Sequence, residues 1–463
     1  MAHQPDARGR GEGEGTALSA GADTIAAAAT PPGRGGVGVV RVSGPAARAI
    51  ARAITGSLPP ARRATLADFS DDGGAAIDRG LALFFPAPHS YTGEDVLELQ
   101  GHGGPIVMRE LLRRCVELGA RIAEAGEFTR RAFLNDRLDL AQAESVADLI
   151  DAQSTEAARG AMRSLAGEFS RRVGEIAASL TELRMHVEAC IDFPEEEIDP
   201  ADLQWQRTRL EFLLRALGEL AEEARLGAVL REGLTVVLVG RPNVGKSSLL
   251  NRLAGDDVAI VTPVAGTTRD FVRATISIEG VPIHLVDTAG LRDSGDEVER
   301  IGIERTWHAI EREAGAALFI EDAQGPHAED SRLRGRLPAS LAHARVVNKI
   351  DLAGGAAGRF QRDGEVELRV SARTGAGIAT LREWLLDAAG WRPPGEGLFI
   401  ARERHLVALR EAQRRLEVAE GHDAVELRAE ELRLAQGALG RITGEVTADA
   451  LLGEIFSRFC VGK

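Results

Sequence analysis

Eight consecutive residues, Gly240-Arg241-Pro242-Asn243-Val244-Gly245-Lys246-Ser247, set two glycines, a lysine and a hydroxyl at the spacing G-x-x-x-x-G-K-[ST]. These residue types suit the holding of a polyphosphate. The glycines let the backbone curl so that successive N–H groups face phosphate oxygens, and a helix starting at the loop adds positive partial charge. Lys246 is the candidate for the β- and γ-phosphates, Ser247 is the candidate Mg²⁺ ligand, and Ser248 follows it on the helix. Gly266-Thr267-Thr268 supplies Thr268 as a second hydroxyl for Mg²⁺. Asp287-Thr288-Ala289-Gly290 is a D-x-x-G pattern, its carboxylate suited to hold Mg²⁺ through water and its last N–H suited to sense a γ-phosphate. Asn348-Lys349-Ile350-Asp351 selects the base, because the Asp351 carboxylate accepts from guanine N1–H and the exocyclic amine. Adenine would leave that carboxylate facing a lone pair. Ser371-Ala372-Arg373 offers a backbone N–H to the guanine O6.

Each motif follows a hydrophobic strand pattern: Thr235–Val239, Val281–Val286, Ala344–Val347 and the stretch ending at Val370. Ser247–Leu253 reads as the helix behind the phosphate loop. Strand and helix signals alternate over residues 233–390, which predicts an inserted α/β, Ras-like P-loop GTPase domain on a parallel sheet. The chain around it is different. Residues 1–22 are rich in Gly, Glu and Arg and read as a disordered extension. Residues 23–138 read as a small α+β domain, with strands at Val37–Val42 and Leu81–Phe85, turns at Pro31–Gly33, Gly73–Gly74 and Pro86–Pro88, and a helix at Gly104–Leu118. Residues 139–230 carry apolar residues at helical spacing, beginning with Leu140, Ala143, Val146, Ala147 and Ile150, and residues 400–463 return to helix. In the second arm helix returns from Ala401 to Arg441, and a final helix, Ala448–Phe459, starts behind Thr447 as its N-cap. The expected architecture is therefore multidomain: an α+β N-terminal domain, an all-α domain in two arms, and the α/β domain inserted between the arms.

The 463-residue chain contains no stretch apolar enough to span a membrane, and the Ala-rich segment Ile25–Thr30 lacks the length and basic flank of a signal peptide. Three cysteines, Cys115, Cys190 and Cys460, without metal-ligand spacing fit a reducing cytoplasm. A formal net charge of −14 argues against a generic nucleic-acid binder. A local exception would need a patch such as Arg109, Arg113, Arg114, Arg121, Arg130, Arg131 and Arg137, and interspersed acids make a solvated surface the equal alternative. His102, between glycines, reads as a loop residue satisfied by backbone. The acidic stretch Asp192–Asp199 reads as a solvated linker, and Trp205, Trp307, Trp384 and Trp391 as packing residues.

One part of the hydrolytic machinery is unusual. Ras-like proteins carry a water-orienting Gln directly after D-x-x-G; here that residue is Leu291, which cannot orient water. The acidic run beyond it leaves Asp293, Asp296, Glu297 and Glu299 open as substitutes.

From Asp23 to Lys463 the chain resembles the MnmE (TrmE) family of tRNA-uridine-modifying GTPases. The resemblance rests on Thr30-Pro31-Pro32-Gly33-Arg34-Gly35-Gly36-Val37-Gly38, Tyr91-Thr92-Gly93-Glu94-Asp95, Gly101-His102-Gly103-Gly104, Gly126-Glu127-Phe128-Thr129 and Phe133-Leu134-Asn135-Asp136. Asp296-Glu297-Val298-Glu299-Arg300-Ile301-Gly302 and the terminal Cys460-Val461-Gly462-Lys463 complete it. The resemblance implies a homodimer that works with a flavin-dependent partner (MnmG, also called GidA) in a heterotetramer-type complex on tRNA. Together they would install a carboxymethylaminomethyl-type group at C5 of the wobble uridine, with GTP hydrolysed to GDP and phosphate. It implies an N-terminal domain that binds a reduced folate, 5-formyl- or 5,10-methylene-tetrahydrofolate, at positions matched by Arg41, Glu98, Arg137 and Lys463. Some relatives carry Lys at the position of Arg137, a cation of different geometry. Cys460 matches the cysteine of the terminal signature. The resemblance also implies that two GTPase domains pair across the nucleotide around a K⁺ ion, which takes the place of an arginine finger. Asn243, Thr262, Val264 and Thr267 match its oxygen shell, Glu299 the residue that positions the attacking water, and Pro263, Ala265 and Gly266 the rest of that nucleotide-facing loop. Arg269 and Arg292 flank the switches.

The GTPase motifs by themselves also fit a ribosome-assembly or RNA-docking GTPase that does no chemistry on RNA, or a slow regulatory scaffold. The N-terminal domain with its paired C-terminal tail separates the leading reading from the first of these, and single-turnover GTP hydrolysis separates it from the second.

Overall fold

The computed structural model describes residues 23–192, 199–241, 243–255, 272–287, 314–323, 325, 341–362, 364–393, 397–445 and 449–462. The chain divides into two compact units, Met1–Asp139 with Thr447–Lys463, and Leu140–Val446.

The first unit is built on a six-stranded sheet in the order β3-β4-β5-β2-β1-β6, counted among the described residues. Its strands are β1 (Thr24–Ala28), β2 (Gly35–Ser43), β3 (Thr65–Ser70), β4 (Ala76–Phe85), β5 (Val96–Gly103) and β6 (Ala120–Ile122). Every neighbouring pair is antiparallel except β1 with β6. Helices α1 (Ala47–Thr55) and α2 (Pro105–Glu117) cover the sheet, and Val40, Val42, Ile50, Ile54, Phe69, Phe84, Leu97, Leu99 and Leu111 form the core. A smaller cluster of Ile25, Ala27, Ala123 and Phe128 lies beside α3 (Glu127–Leu134).

The C-terminal segment, expected with the second helical arm, belongs by its contacts to this unit. Its helix, Asp449–Ser457, sets Phe456 at 6.4 Å from Phe133, Val461 makes a bridge to Ala125, and the Cys460 carbonyl accepts from Gly126 N–H at 3.4 Å. Apolar side chains from far along the chain thus find their partners on α3. The expected cap, Thr447, lies outside the described residues.

The second unit contains α4 (Leu140–Ile150), α5 (Thr155–Leu165), α6 (Glu168–Asp192) and α7 (Pro200–Glu232). Ser154 caps α5, accepting from Ala157 N–H at 3.1 Å; Asp199 caps α7, accepting from Ala201 N–H at 2.8 Å, with Pro200 in the first turn. Residues 193–198 of the expected linker lie outside the described residues. On α6, Phe169, Val173, Ile176, Leu180, Leu183 and Val187 recur every three or four residues and pack against Leu210, Leu213, Leu217 and Leu220 of α7. The expected helix from Ala401 to Arg441 is two helices, Glu403–Glu420 and Val425–Thr443, antiparallel neighbours that complete the bundle. The chain turns at Gly421, and Ala424 is extended (φ −73°, ψ 123°), so helical propensity on both sides gives way to a tertiary turn.

A seven-stranded sheet, again counted among the described residues, forms the α/β body in the order β12-β13-β11-β10-β7-β9-β8. Its strands are β7 (Leu234–Val239), β8 (Val272–Ile278), β9 (Val281–Asp287), β10 (Ala316–Asp322), β11 (Ala342–Asn348), β12 (Gly358–Arg362) and β13 (Glu365–Arg369). The expectation of a parallel sheet holds only for its interior. β13, β11, β10, β7 and β9 run parallel, whereas β8 and β12 pair antiparallel at the two edges. The cause at one edge is a two-residue turn, Glu279 (φ 49°) and Gly280 (φ 84°), whose doubly positive φ closes β8 onto β9 as a hairpin. β7, apolar but for Thr235, and the Ala316–Ile320 run of β10 are buried on both faces, as central parallel strands require. Among the described residues no helix is long and apolar enough to cross a membrane.

Candidate nucleotide site and N-terminal cluster

The phosphate loop follows β7 and ends at helix α8 (Lys246–Ala254). Gly245 is left-handed (φ 100°), and a Cβ there would stand 2.3 Å from Asn348 Nδ2, so only glycine lets the loop approach the end of β11 this closely. Asn243 is also left-handed (φ 63°), a conformation its short amide tolerates better than most side chains do. Lys246 is buried, and its ammonium donates to the carbonyls of Gly240 at 2.5 Å and Arg241 at 3.1 Å. Val244 is buried beneath the loop, while Asn243, Ser247 and Ser248 are exposed on its outer side.

The residues expected to select the base converge on the same loop. Asn348 Nδ2 donates to the Val244 carbonyl at 2.9 Å while its Oδ1 accepts from Ala372 N–H at 3.1 Å, so one buried amide joins phosphate loop and guanine loop. Lys349 Nζ donates to the Asn243 carbonyl at 2.6 Å. Ser371 Oγ donates to Asp351 Oδ1 at 2.7 Å and accepts from Thr374 N–H at 3.1 Å, which orients the carboxylate. Helix α8 contributes one contact that the motifs did not indicate: Arg252 donates through Nε to the Ala372 carbonyl at 3.0 Å and through a terminal nitrogen to the Arg373 carbonyl at 2.7 Å. Asp287 closes β9 in register with Leu238 of β7, which sets it at the sheet end that also carries the phosphate loop.

The structure therefore brings Asn243, Val244, Gly245, Lys246, Asn348, Lys349, Asp351, Ser371, Ala372 and Arg373 together. Thr262, Pro263, Val264, Ala265, Gly266, Thr267, Thr268, Thr288, Ala289, Gly290, Leu291 and Glu299 lie outside the described residues. So do Arg269, Arg292, Asp293, Asp296, Glu297, Trp307 and Lys463. A loop that only glycine can close over Asn348 fits a triphosphate. Among the described residues no cluster of His, Cys, Asp or Glu forms a metal site of its own.

In the first unit, Arg41 on β2 faces Glu98 on β5 in register, Nε to Oε1 at 3.0 Å. The guanidinium lies 5.6 Å from the Tyr91 ring centre and 5.7 Å from that of Phe128, and it donates to the Gly462 carbonyl at 3.4 Å. Tyr91 OH bonds the Thr129 hydroxyl at 2.8 Å, and burial pushes its phenol above the ordinary value. Phe128 is fully buried behind the guanidinium, so the groups that would suit a hydrogen-bonding ring such as a pterin are polar: the Arg41 guanidinium as donor, with the Glu98 carboxylate and the carbonyl next to Lys463 as acceptors. Tyr91 and Phe128 escape a residue-by-residue reading, since nothing local shows that they lie against Arg41. Arg137 is exposed near Gly93, and Cys460 is exposed. By contrast, burial pushes the Cys115 thiol up to about 12.

Three other expectations have separate outcomes. The arginines of the candidate basic patch are largely engaged by acids: Arg113 with Glu110 and Glu117, Arg121 with Asp23 and Glu127, Arg131 with Asp23, Glu94 and Glu127. The interspersed carboxylates neutralise the patch. His102 is a strand residue of β5 rather than a loop residue, and its ring Nδ1 meets Asp78 Oδ1 at 2.8 Å. Trp384 and Trp391 are core residues, and Trp205 lies against His186 with ring centres 4.3 Å apart.

Comparison with known proteins agrees over nearly the whole chain. Residues 24–137 match the family described as GTP-binding protein TrmE N-terminus, and residues 140–460 match the MnmE helical domain. The tRNA modification GTPase MnmE of Azoarcus sp. (strain BH72) is 60% identical over 444 residues, covering 95% of this chain and 98% of that protein. The protein of the same name from Laribacter hongkongensis (strain HLHK9) is 57% identical over 450 residues, covering 96% and 99%. Among solved structures, the G domain of the T. maritima FeoB iron transporter aligns with 34% of this chain and 98% of its own, at 24% identity and a TM-score of 0.27. With both family matches and such relatives along its length, the chain belongs to the MnmE/TrmE family of tRNA modification GTPases.

Proposed function

We propose that this chain binds and hydrolyses GTP at the loop of Asn243–Ser248 and uses the cycle to drive modification of the wobble uridine of certain tRNAs in the cytoplasm. The observation that carries the nucleotide part is the Asn348 amide, which holds Val244 and Ala372 together and so sets the phosphate and guanine loops at one fixed separation. Within that frame Asp351 receives the guanine N1–H and amine, and Ser247 with Thr268 holds Mg²⁺, which screens the phosphates. Asn243, Thr262, Val264 and Thr267 form the K⁺ shell, and Glu299 positions the attacking water. The N-terminal cluster of Arg41 and Glu98, with Arg137 and Lys463, holds a reduced folate as one-carbon donor. In this reading the chain acts as a homodimer with the flavoprotein MnmG and adds a carboxymethylaminomethyl-type group at C5. Family membership supports the tRNA role; the donor set around Arg41 supports the folate.

Mass spectrometry of tRNA nucleosides from a host lacking this chain tests the biology. The expected result is loss of C5-modified wobble uridines, restored by the wild-type chain and not by Lys246→Ala. An unchanged nucleoside profile rejects the modification role and returns the chain to the class of RNA-docking GTPases.

A further inference from the structure

We infer that Arg252 is a positioning residue for guanine recognition, aiming the Arg373 N–H at the O6 edge of the base. The inference deepens the guanine-nucleotide reading above and rests on it. Arg252 lies in the last turn of α8, where a cation also complements the helix dipole. Its fork grips two successive carbonyls, Ala372 O at 3.0 Å and Arg373 O at 2.7 Å. The Ala372 carbonyl and the Arg373 N–H are the two ends of a single peptide unit. A trans peptide is planar, and its C=O and N–H point in opposite directions. Holding the carbonyl towards α8 therefore turns the Arg373 N–H away from α8.

The other amides of the loop are committed. Ser371 N–H donates to Ala376 O, Ala372 N–H to Asn348 Oδ1, Thr374 N–H to Ser371 Oγ and Gly375 N–H to Ser371 O. Arg373 is the loop residue whose amide makes no hydrogen bond among the described residues, which leaves it as the donor for the base oxygen. A guanidinium suits the task because its planar fork reaches two acceptors at fixed geometry, whereas a lysine offers a single point charge. Position 252 thus ties the helix that begins at the phosphate loop to the loop that reads the base.

The test compares binding of GDP, IDP and 6-thio-GDP to the full-length chain and to R252A and R252K. GDP and IDP both present O6, and IDP lacks only the amine that faces Asp351. The 6-thio analogue keeps N1–H and the amine but offers sulfur, a poor acceptor, in place of O6. R252A is expected to weaken GDP and IDP alike by about five- to tenfold, the size of one neutral hydrogen bond. It should weaken 6-thio-GDP by less than about twofold, because that contact is already poor. R252K, which keeps the charge and one donor, should fall between, with an unchanged melting temperature, and it gives the ranking should R252A lose stability. Equal weakening of all three nucleotides, or of none, overturns the positioning role. Failure of the wild-type chain to bind any of the three is a different result, which defeats the guanine reading and this inference with it.

Discussion

Asp351 and Asn348 do different work within one motif. Asn348 is buried and structural, its amide shared between two loops, while the exposed Asp351 carboxylate is set by Ser371. Asp351→Asn replaces one acceptor by a donor, so it should lose GDP and gain xanthine diphosphate, whose base carries an oxygen where guanine has its amine. The expected loss for GDP is roughly 2–3 kcal/mol, the cost of an unmatched buried polar pair. Titration of the two nucleotides checks it, and unchanged GDP affinity would remove Asp351 from base selection. The residue types of these motifs are legible in sequence because each meets a local chemical demand at fixed spacing. The contact of Arg252 is not legible, since an arginine in the last turn of a helix is already accounted for locally by the helix dipole.

At the level of elements, the hairpin between the two switch segments rests on the helical part of its own unit. A Cβ on Gly280, in the turn between β8 and β9, would stand 2.7 Å from the Glu156 Cβ on α5, and φ is +84°. Gly280→Val should therefore destabilise the chain by about 1–3 kcal/mol through backbone strain and crowding. A denaturant midpoint equal to the wild type's would refute that seating. Helix α4 and the helix Glu403–Glu420 meet at a second buried contact. His405 Nδ1 accepts from Arg402 N–H at 3.1 Å, so Nε2 carries the proton and lies 3.0 Å from Glu144 Oε2. Arg404 grips the same carboxylate with two bonds of 2.7 Å, and Arg402 adds charge nearby. Burial holds the His405 pKa below its ordinary value against the pull of Glu144; the Glu144 carboxyl lies well below the usual range despite burial, because His405 and Arg404 stabilise its charge. Both folded values are depressed, so both contribute stability above the unfolded pKa that is lost as pH falls. For His405 the loss begins near pH ~6.5, at up to about 1.4 kcal/mol per pH unit. His405→Gln, which keeps a donor and does not titrate, should flatten the stability curve just below about pH 6.5. A slope identical to the wild type's would exclude His405 as its source. The break at Gly421–Ala424 and the antiparallel edge strands escape a sequence reading, because periodicity reports burial and not the direction in which the chain returns.

Across the whole molecule, the α/β body is inserted at two chain crossings, and one carboxylate joins them. Asp148 accepts from Arg231, just before the entry into β7, at 2.8 Å, and from Arg402, just after the return, at 2.7 Å. That clasp gives the inserted body a fixed base within its unit. The proposed K⁺ shell predicts GTP turnover that rises steeply when Na⁺ is exchanged for K⁺. Glu299→Ala should retain nucleotide affinity while turnover falls by about 100-fold or more. Steady-state phosphate release with parallel nucleotide titration measures both. Equal rates in the two salts would dismiss the ion, and a large affinity loss in the variant would make Glu299 structural.

The sequence by itself determined the nucleotide chemistry, the three kinds of architecture and the family, because these are written in short motifs and in periodicities that each segment carries alone. Only the tertiary structure decided that the C-terminal segment packs on the N-terminal unit, that the Tyr91 and Phe128 rings both lie against Arg41, and that Arg252 grips the carbonyls of Ala372 and Arg373. Those facts join residues far apart along the chain. Their contacts arise from burial and hydrogen-bond satisfaction among elements already formed, and no local pattern records which distant element will supply the partner.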